Sequence, residues 1–559
     1  MERLNYPRPD WIRERTVLLN GDWEFSFDEP SYDMHITVPF CYESRMSGIG
    51  ITEHHDIVWY RRHFSYKKCS GHVLLCFGAV DHDAEVYLNG SFIGRHSGGF
   101  SPFSFDITGC VKEDNVLEVK AVDYNSPYLP EGKQRWTKDN FGCWYTPVTG
   151  IWQSVWLEYA GDTPAEYCHF IPSLENHSVE IELSVLNGYT GKARIDFSLS
   201  GKNLGSAEIH VEKGIGKALH SFSYDDVRPY DLLWSPENPN LIDADITILT
   251  ENADSVHAYF GMREISVSRG RIYLNGNLLY QRLVLDQGYW PESLLTPPSA
   301  DALMTDIKSA IDMGFNGARK HQKAEDPRFY YLADKLGFLV WGELQSWHRY
   351  SGKSMGAAVS DLIEQISRDY NHPSIITWVP VNESWGVGEV MTSEREYHFV
   401  AALYHLLSAY DPVRLVSSND GWEQPSETDI IAIHDYMFSS ECGSKYDNPL
   451  YLVESNVAER RAIMRKGATY SGQPIMLTEF GGIAFADGSD DTWGYYGKVR
   501  TAEDFISRLK DALQHLEKAP IAGYCYTQLT DVEQETNGLM TADRRMKLSA
   551  EEYRKVFLP

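Results

Sequence analysis

Two runs in the second half of the chain each end an apolar stretch in a carboxylate. Ile375-Ile376-Thr377-Trp378-Val379-Pro380-Val381-Asn382-Glu383-Ser384-Trp385 closes on Asn-Glu beside tryptophan. Ile475-Met476-Leu477-Thr478-Glu479-Phe480-Gly481-Gly482 closes on a glutamate followed by glycines, which permit close backbone approach. An acidic side chain at the end of a buried strand is costly unless it is paired or used. Two of them in one site are what glycoside hydrolysis requires. One carboxyl arrives protonated and donates to the leaving oxygen, while the other, ionised, attacks the anomeric carbon. The structural alternative for the same pair is a buried ion pair at the rim of a barrel.

Reading the other apolar strand ends the same way adds Arg319, Glu343, His434 and Tyr526. Arg319 is expected to keep Glu479 ionised by its nearby charge. Glu343 is read as ordering its neighbours rather than reacting. His434 and Tyr436 are candidates to hydrogen-bond the sugar or Glu479, against a structural role. Trp385, Trp422 and Tyr526 are candidates to wall a sugar subsite, against simple packing. His321 and Lys323 extend past one strand, within reach of a sugar or leaving group. Asp286 and Gln287 follow another and suit neutral hydroxyls.

Such residues meet only if the strands carrying them close into one cylinder. From Ile272 onward, short apolar runs alternate with stretches of helical period. Asp301–Met313 places Leu303, Met304, Ile307, Ala310 and Ile311 at helical spacing, and Gly314 stops it. Strands are expected at 278–285, 315–319, 338–343, 375–381, 414–418, 430–434, 475–478 and 522–527. Eight strands with intervening helices predict a (β/α)8 TIM barrel over 269–559, whose catalytic residues sit at the C-terminal strand ends. Strands four and seven then face each other across the mouth and bring Glu383 and Glu479 together.

The earlier part of the chain reads as all-β. Residues 1–160 carry short strands punctuated by Asn89-Gly90, Gly98-Gly99 and Asp114-Asn115, which predicts a jelly-roll sandwich. Residues 161–268 are of a size for an immunoglobulin-like β-sandwich.

Composition narrows the partners. Among 559 residues, 51 Lys+Arg against 79 Asp+Glu give a net charge of −28, which repels phosphate backbones and anionic membrane surfaces. Neither nucleic acid nor membrane is expected as a partner. The eight cysteines form no CxxC pair and read as free thiols in a reducing compartment. The first residues, Met1-Glu2-Arg3-Leu4-Asn5-Tyr6-Pro7, lack the apolar core of a secretory signal, so a cytoplasmic enzyme is expected.

Together these motifs resemble glycoside hydrolase family 2, which includes β-galactosidases, β-glucuronidases and β-mannosidases. Phe77-Gly78-Ala79-Val80-Asp81, Val86-Tyr87-Leu88-Asn89-Gly90, Gly98-Gly99-Phe100-Ser101-Pro102-Phe103 and Gly150-Ile151-Trp152 are similar to its sugar-binding jelly roll. Leu233-Trp234-Ser235-Pro236 and Phe260-Gly261-Met262-Arg263 resemble the end of its immunoglobulin-like domain. Asn382-Glu383 matches the acid/base motif and Thr478-Glu479-Phe480-Gly481 the nucleophile motif. The resemblance implies a retaining exo-hydrolase acting through a covalent glycosyl-enzyme. Glu479 is then the nucleophile, Glu383 the acid/base, and Asn382 a partner of the substrate 2-hydroxyl. It implies a jelly roll that buttresses the barrel and shapes access to the pocket. Oligomers are common in the family, and a homo-oligomer is possible here.

Two departures bear on substrate and cofactor. After the first strand the chain reads Gln281-Arg282-Leu283-Val284-Leu285-Asp286-Gln287-Gly288, without the family's Asn-Arg-His signature, so no metal or other cofactor is expected. Glu535-Thr536-Asn537-Gly538-Leu539 lacks the lysine of the Asn-x-Lys element that holds a uronate carboxylate, although Lys323 or Arg282 are substitutes to weigh. A β-galactoside is therefore the first substrate expected. A β-glucuronide, β-galacturonide or α-L-arabinopyranoside follows, and a non-catalytic carbohydrate-binding protein is the rival of another class. No HExxH or HxH cluster supports a metal hydrolase.

Overall fold

The computed structural model describes residues 2–223, 227–436, 444–457, 461–485, 493–516 and 518–558. The first sheets form an antiparallel sandwich. Six strands in the order Met34–Val38, Gly21–Phe27, Ile57–Ser65, Asp114–Val122, Asp83–Leu88 and Ser91–Ser97 pack on four in the order Phe103–Asp106, His72–Phe77, Val155–Ala160 and Thr16–Leu18. Period-2 alternation drives this: Asn115, Leu117, Val119 and Ala121 are buried while their neighbours along Asp114–Val122 are not.

A second antiparallel sheet of eight strands runs from Trp11–Ile12 through Asp254–Phe260 to Ala165–Ser173. It curls around one core, so Phe170 near one end stacks on Phe260 near the other at 4.6 Å. Trp11 pairs with Ala258, so the first strand of the chain belongs to this second sheet.

The remainder is the expected barrel. Its strands are β1 Gln281–Asp286, β2 Gly317–Lys320, β3 Leu339–Glu343, β4 Ile375–Val379, β5 Leu415–Val416, β6 Ile431–His434, β7 Ile475–Gly481 and β8 Gly523–Thr527. Their pairings are parallel, in the order β5-β4-β3-β2-β1-β8-β7-β6. The seam between β5 and β6 carries no ladder among the described residues. Asp429 closes it, donating its backbone N–H to the Val416 carbonyl and accepting the Val416 N–H on its carboxylate. Helices pack outside and are stopped by local chemistry: Ala300–Met313 has Ser299 as N-cap and Gly314 at φ +104°.

The sequence reading starts the first strand too early. Asn277–Leu279 belongs to an antiparallel meander with Ile265–Ser268 and Arg271–Leu274, joined through the Asn275-Gly276 turn. Ile265, Ile272 and Leu274 of that meander plug the barrel interior against Leu283, Trp341, Ile376 and Cys525.

Among the described residues, seven cysteines are free thiols and no helix is long and apolar enough to cross a membrane. Cys442 lies outside the described residues.

Candidate active site

Alternation along each strand decides which side chains enter the barrel. On β2, Ala318 faces the helices, so Arg319 faces inward. Arg319 is fully buried and its guanidinium organises the mouth. It donates from Nε to Glu343 at 2.7 Å, from Nη1 to Glu479 at 2.8 Å and from Nη2 to the Asn382 carbonyl oxygen at 2.7 Å. Nη1 also lies 3.1 Å from Asp420. Burial alone would weaken this cation; Asp420, Glu343 and Glu479 outweigh it and hold the charge firmly.

His434, ending β6, is the second buried cation. Nδ1 lies 2.7 Å from Glu383, Nε2 lies 2.7 Å from Asp420 and 3.5 Å from Glu479. Burial opposes its charge, but the Glu479 charge and the hydrogen bonds to Asp420 and Glu383 raise its pKa to about 10. Both ring nitrogens therefore carry protons and donate.

Glu383 follows β4 on a turn whose backbone is left-handed at Glu383 (φ +52°) and Ser384 (φ +58°), a conformation that costs side-chain-bearing residues energy and clusters at functional sites. Its N–H donates to the Asp420 carbonyl. The expectation that Glu383 stands protonated is met by a different state. Burial favours the acid, yet the hydrogen bond and charge of His434, with Lys133 and Arg319 beyond, hold its pKa below the ordinary value. The Glu383–His434 pair thus shares a proton that lies on the imidazolium side.

Glu479 on β7 has both oxygens engaged, Oε1 by Arg319 and Oε2 by the Tyr436 hydroxyl. Tyr436 is fixed by stacking on Tyr495, ring centroids 4.2 Å apart. One oxygen each of Glu383 and Glu479 and one nitrogen of His434 lie within 4.8 Å of one another. A metal ion there would have to displace the proton that His434 shares with its carboxylates. Glu343 is buried, which pushes its pKa up to about 7 despite Arg319, and it lies 3.2 Å from His321. Burial, then the Lys133 and Arg319 charges, hold His321 neutral.

The N-terminal sandwich completes the mouth. Gly132, at φ +63°, approaches so closely that a Cβ would lie 2.5 Å from the Gln322 carbonyl oxygen. Its N–H donates to the Ser346 carbonyl. Tyr145 donates to Glu535 at 2.6 Å, and Trp144 meets Trp385 edge-on at 4.8 Å. Trp136 stacks on His348 at 3.6 Å.

The description "Glycosyl hydrolases family 2, TIM barrel domain" matches residues 297–559, and "Glycosyl hydrolases family 2, sugar binding domain" matches residues 8–159. The chain belongs to glycoside hydrolase family 2. A β-galactosidase of Thermoanaerobacter pseudethanolicus is 28% identical over 386 residues, 66% of this chain and 50% of that protein. The chain thus spans about half the length of the curated β-galactosidases it first matches. A β-glucuronidase of Streptococcus agalactiae is 23% identical, covering 97% of this chain and 96% of its own length. Among solved structures, a family 2 β-galacturonidase from Eisenbergiella tayi bound to galacturonate shares the fold, with TM-score 0.76, 23% identity and 97% coverage of both chains.

Within this family 2 barrel, several expected residues lie elsewhere. Asp286 faces outward because Leu283 and Leu285 face in; it pairs with Lys320 at 2.8 Å. Lys323 spends its three protons on the Gly288 and Leu295 carbonyls and on Glu325, so it is not available to a substrate. Arg282 lies over the ring of Tyr280 at the start of β1, away from the C-terminal mouth. Tyr526 faces the helices, with Phe480 and Phe557 each 5.6 Å away, because Cys525 faces the interior. Gln287 is buried with Oε1 unpartnered among the described residues. Trp422 borders the site, its ring 5.7 Å from His434.

Sequence reasoning missed Asp420, which receives both buried cations, because β5 shows only two paired residues. The polar run Ser417-Ser418-Asn419-Asp420-Gly421 after it was the available signal. It also missed Lys133, Trp144, Tyr145 and Glu535, for which no barrel pattern gives a cue.

Proposed function

We propose that the chain is a retaining exo-glycoside hydrolase acting on a terminal β-linked sugar. The observation that carries this is the approach of Glu383 and Glu479 oxygens to within 4.8 Å. Retaining enzymes hold their carboxyl groups about 5–5.5 Å apart, whereas inverting ones leave about 6.5–9.5 Å for a water. In this reading Glu479, oriented by Arg319 and Tyr436, attacks the anomeric carbon. Glu383 takes the proton held with His434 and passes it to the aglycone oxygen, then deprotonates the water that releases the sugar. Asn382 gives its carbonyl oxygen to Arg319, leaving its NH2 for the substrate 2-hydroxyl. The sandwich residues Trp144 and Tyr145, set against Trp385 and Glu535, wall the mouth on that side, which suits a terminal rather than an internal residue. Relatives bear the names β-galactosidase, β-glucuronidase and β-galacturonidase, and those glycones bound the choice.

Proton NMR of the first-formed sugar from a nitrophenyl β-glycoside tests the reading. The β-anomer is expected first, and the α-anomer first refutes it. With Glu383→Ala, azide should restore turnover of an activated substrate as the β-glycosyl azide; Glu479→Ala should regain no retaining turnover.

A further inference from the structure

Lys133 enters the site described above only through its charge on Glu383 and His321, yet it is placed where the chemistry happens. It comes from the N-terminal sandwich and is only 7% exposed. Its backbone is pinned at the mouth, since its carbonyl accepts the Tyr145 N–H at 2.9 Å and the Tyr145 hydroxyl reaches Glu535. Its Nζ lies 5.6 Å from the centre of the Trp144 ring, which itself rests on Trp385, two residues past Glu383. Burial works against its charge, and Cys143, Glu535, Glu383 and Glu479 support it from around the cavity. The neutral rings of His321 and His348 also feel it.

The other cations of the mouth are already committed. Arg319 contacts Glu343, Asp420 and Glu479; His434 contacts Glu383, Asp420 and Glu479. Lys320 and Lys323 contact Asp286 and Glu325. Lys133 alone among these has no contact ion pair within the described residues, the Cys143 side chain being its hydrogen-bonding neighbour. Glu535 does not fill the role of partner: its oxygens accept from the Tyr145 hydroxyl and the Asn537 amide at 3.0 Å. Anions at a distance outweigh burial and keep this ammonium charged, so it retains the capacity to take a contact anion that arrives with the ligand.

We infer that Lys133 receives a carboxylate carried by the glycone, so that the substrate class is the β-hexuronides and the recognition lysine is supplied by the N-terminal sandwich. Its neighbours Trp144 and Tyr145 reach Trp385 after β4 and Glu535 after β8, which seats it over the mouth between those rims, where Glu383 and Glu479 would hold the sugar. The inference rests on the glycosidase reading above and deepens it.

The test compares nitrophenyl β-D-galacturonide and β-D-glucuronide with nitrophenyl β-D-galactoside, using wild type, Lys133→Gln and Lys133→Arg. In wild type the better uronide should exceed the galactoside in kcat/KM by at least about 100-fold. Lys133→Gln should lower that ratio at least about 30-fold, chiefly through KM, and Lys133→Arg should restore part of it. A measurement free of turnover accompanies it: free galacturonate or glucuronate should raise the melting temperature of wild type and not of folded Lys133→Gln. Loss of uronide and galactoside activity in equal proportion, or no thermal shift with either uronate, would overturn the inference. Hydrolysis of the galactoside alone would sink the inference while leaving the glycosidase reading intact. Hydrolysis of none of the three would sink both.

Discussion

Replacing Arg319 by methionine removes the centre of the buried network while keeping side-chain bulk. The guanidinium contacts three buried carboxylates, Glu343 at 2.7 Å, Glu479 at 2.8 Å and Asp420 at 3.1 Å, and the Asn382 carbonyl at 2.7 Å. Removing one partner of a buried ion pair costs about 3–5 kcal/mol, since the remaining charge stays desolvated. The three contacts share one cation and His434 still faces Asp420 and Glu479, so they do not add, and about 3–5 kcal/mol is expected for the whole. At roughly 2 °C per kcal/mol for a large domain, the barrel should melt about 6–10 °C lower. The loss should also depend on pH. In Asp420, burial favours the acid, but the Arg319 charge and the His434 hydrogen bond hold the carboxyl well below its ordinary range. A carboxyl depressed in the folded state stabilises above its unfolded pKa of about 3.9, and that contribution is lost as pH falls. Without Arg319, burial acts on Glu343 and Asp420 with His434 as the remaining cation against it, so the folded variant is penalised at neutral pH and relieved on acidification. The gap between wild type and Arg319→Met should therefore be widest near pH 7 and narrow toward pH 4. Denaturant unfolding followed across that range checks it. A gap below about 1 kcal/mol, or one independent of pH, would refute the electrostatic account.

The second buried cation carries the opposite sign. His434 has its folded pKa raised to about 10, so its stabilisation is complete below its unfolded value of 6.5 and is lost as pH rises through 10. His434→Gln should cost about 3 kcal/mol at pH 6 and progressively less toward pH 10, read by the same denaturant titration. Tyr526→Phe tests the outward orientation of that ring. Its hydroxyl is buried with no side-chain partner among the described residues, so stability should change by less than about 1 kcal/mol and kcat/KM by less than about 2-fold. A large loss of kcat/KM alone would return Tyr526 to the sugar subsite.

Local pattern was enough to find the reacting pair. Buried apolar strands ending in Asn382-Glu383 and in Glu479 are legible because a carboxylate there has a cost that only pairing or function explains. The eight-strand count then put both at one end of a cylinder, and Arg319 and His434 followed as residues ending strands in the same way. Facing direction was another matter. A strand residue shifted by one position changes from lumen to helix layer, and nothing in the bare sequence near Asp286 or Tyr526 says which side they take. Leu285 and Cys525 claim the interior, so their neighbours point out. Lys323 carries a charge in any reading, but only packing shows it saturated by Gly288, Leu295 and Glu325. Asp420 was hidden behind a strand of two paired residues. The contacts that build the far wall of the mouth join positions as distant as Tyr145 and Glu535, 390 residues apart. No periodicity links such positions. Their meeting is set by how a sandwich loop seats on a barrel, a matter of shape between two independently patterned units, and Lys133 enters the site by that route alone.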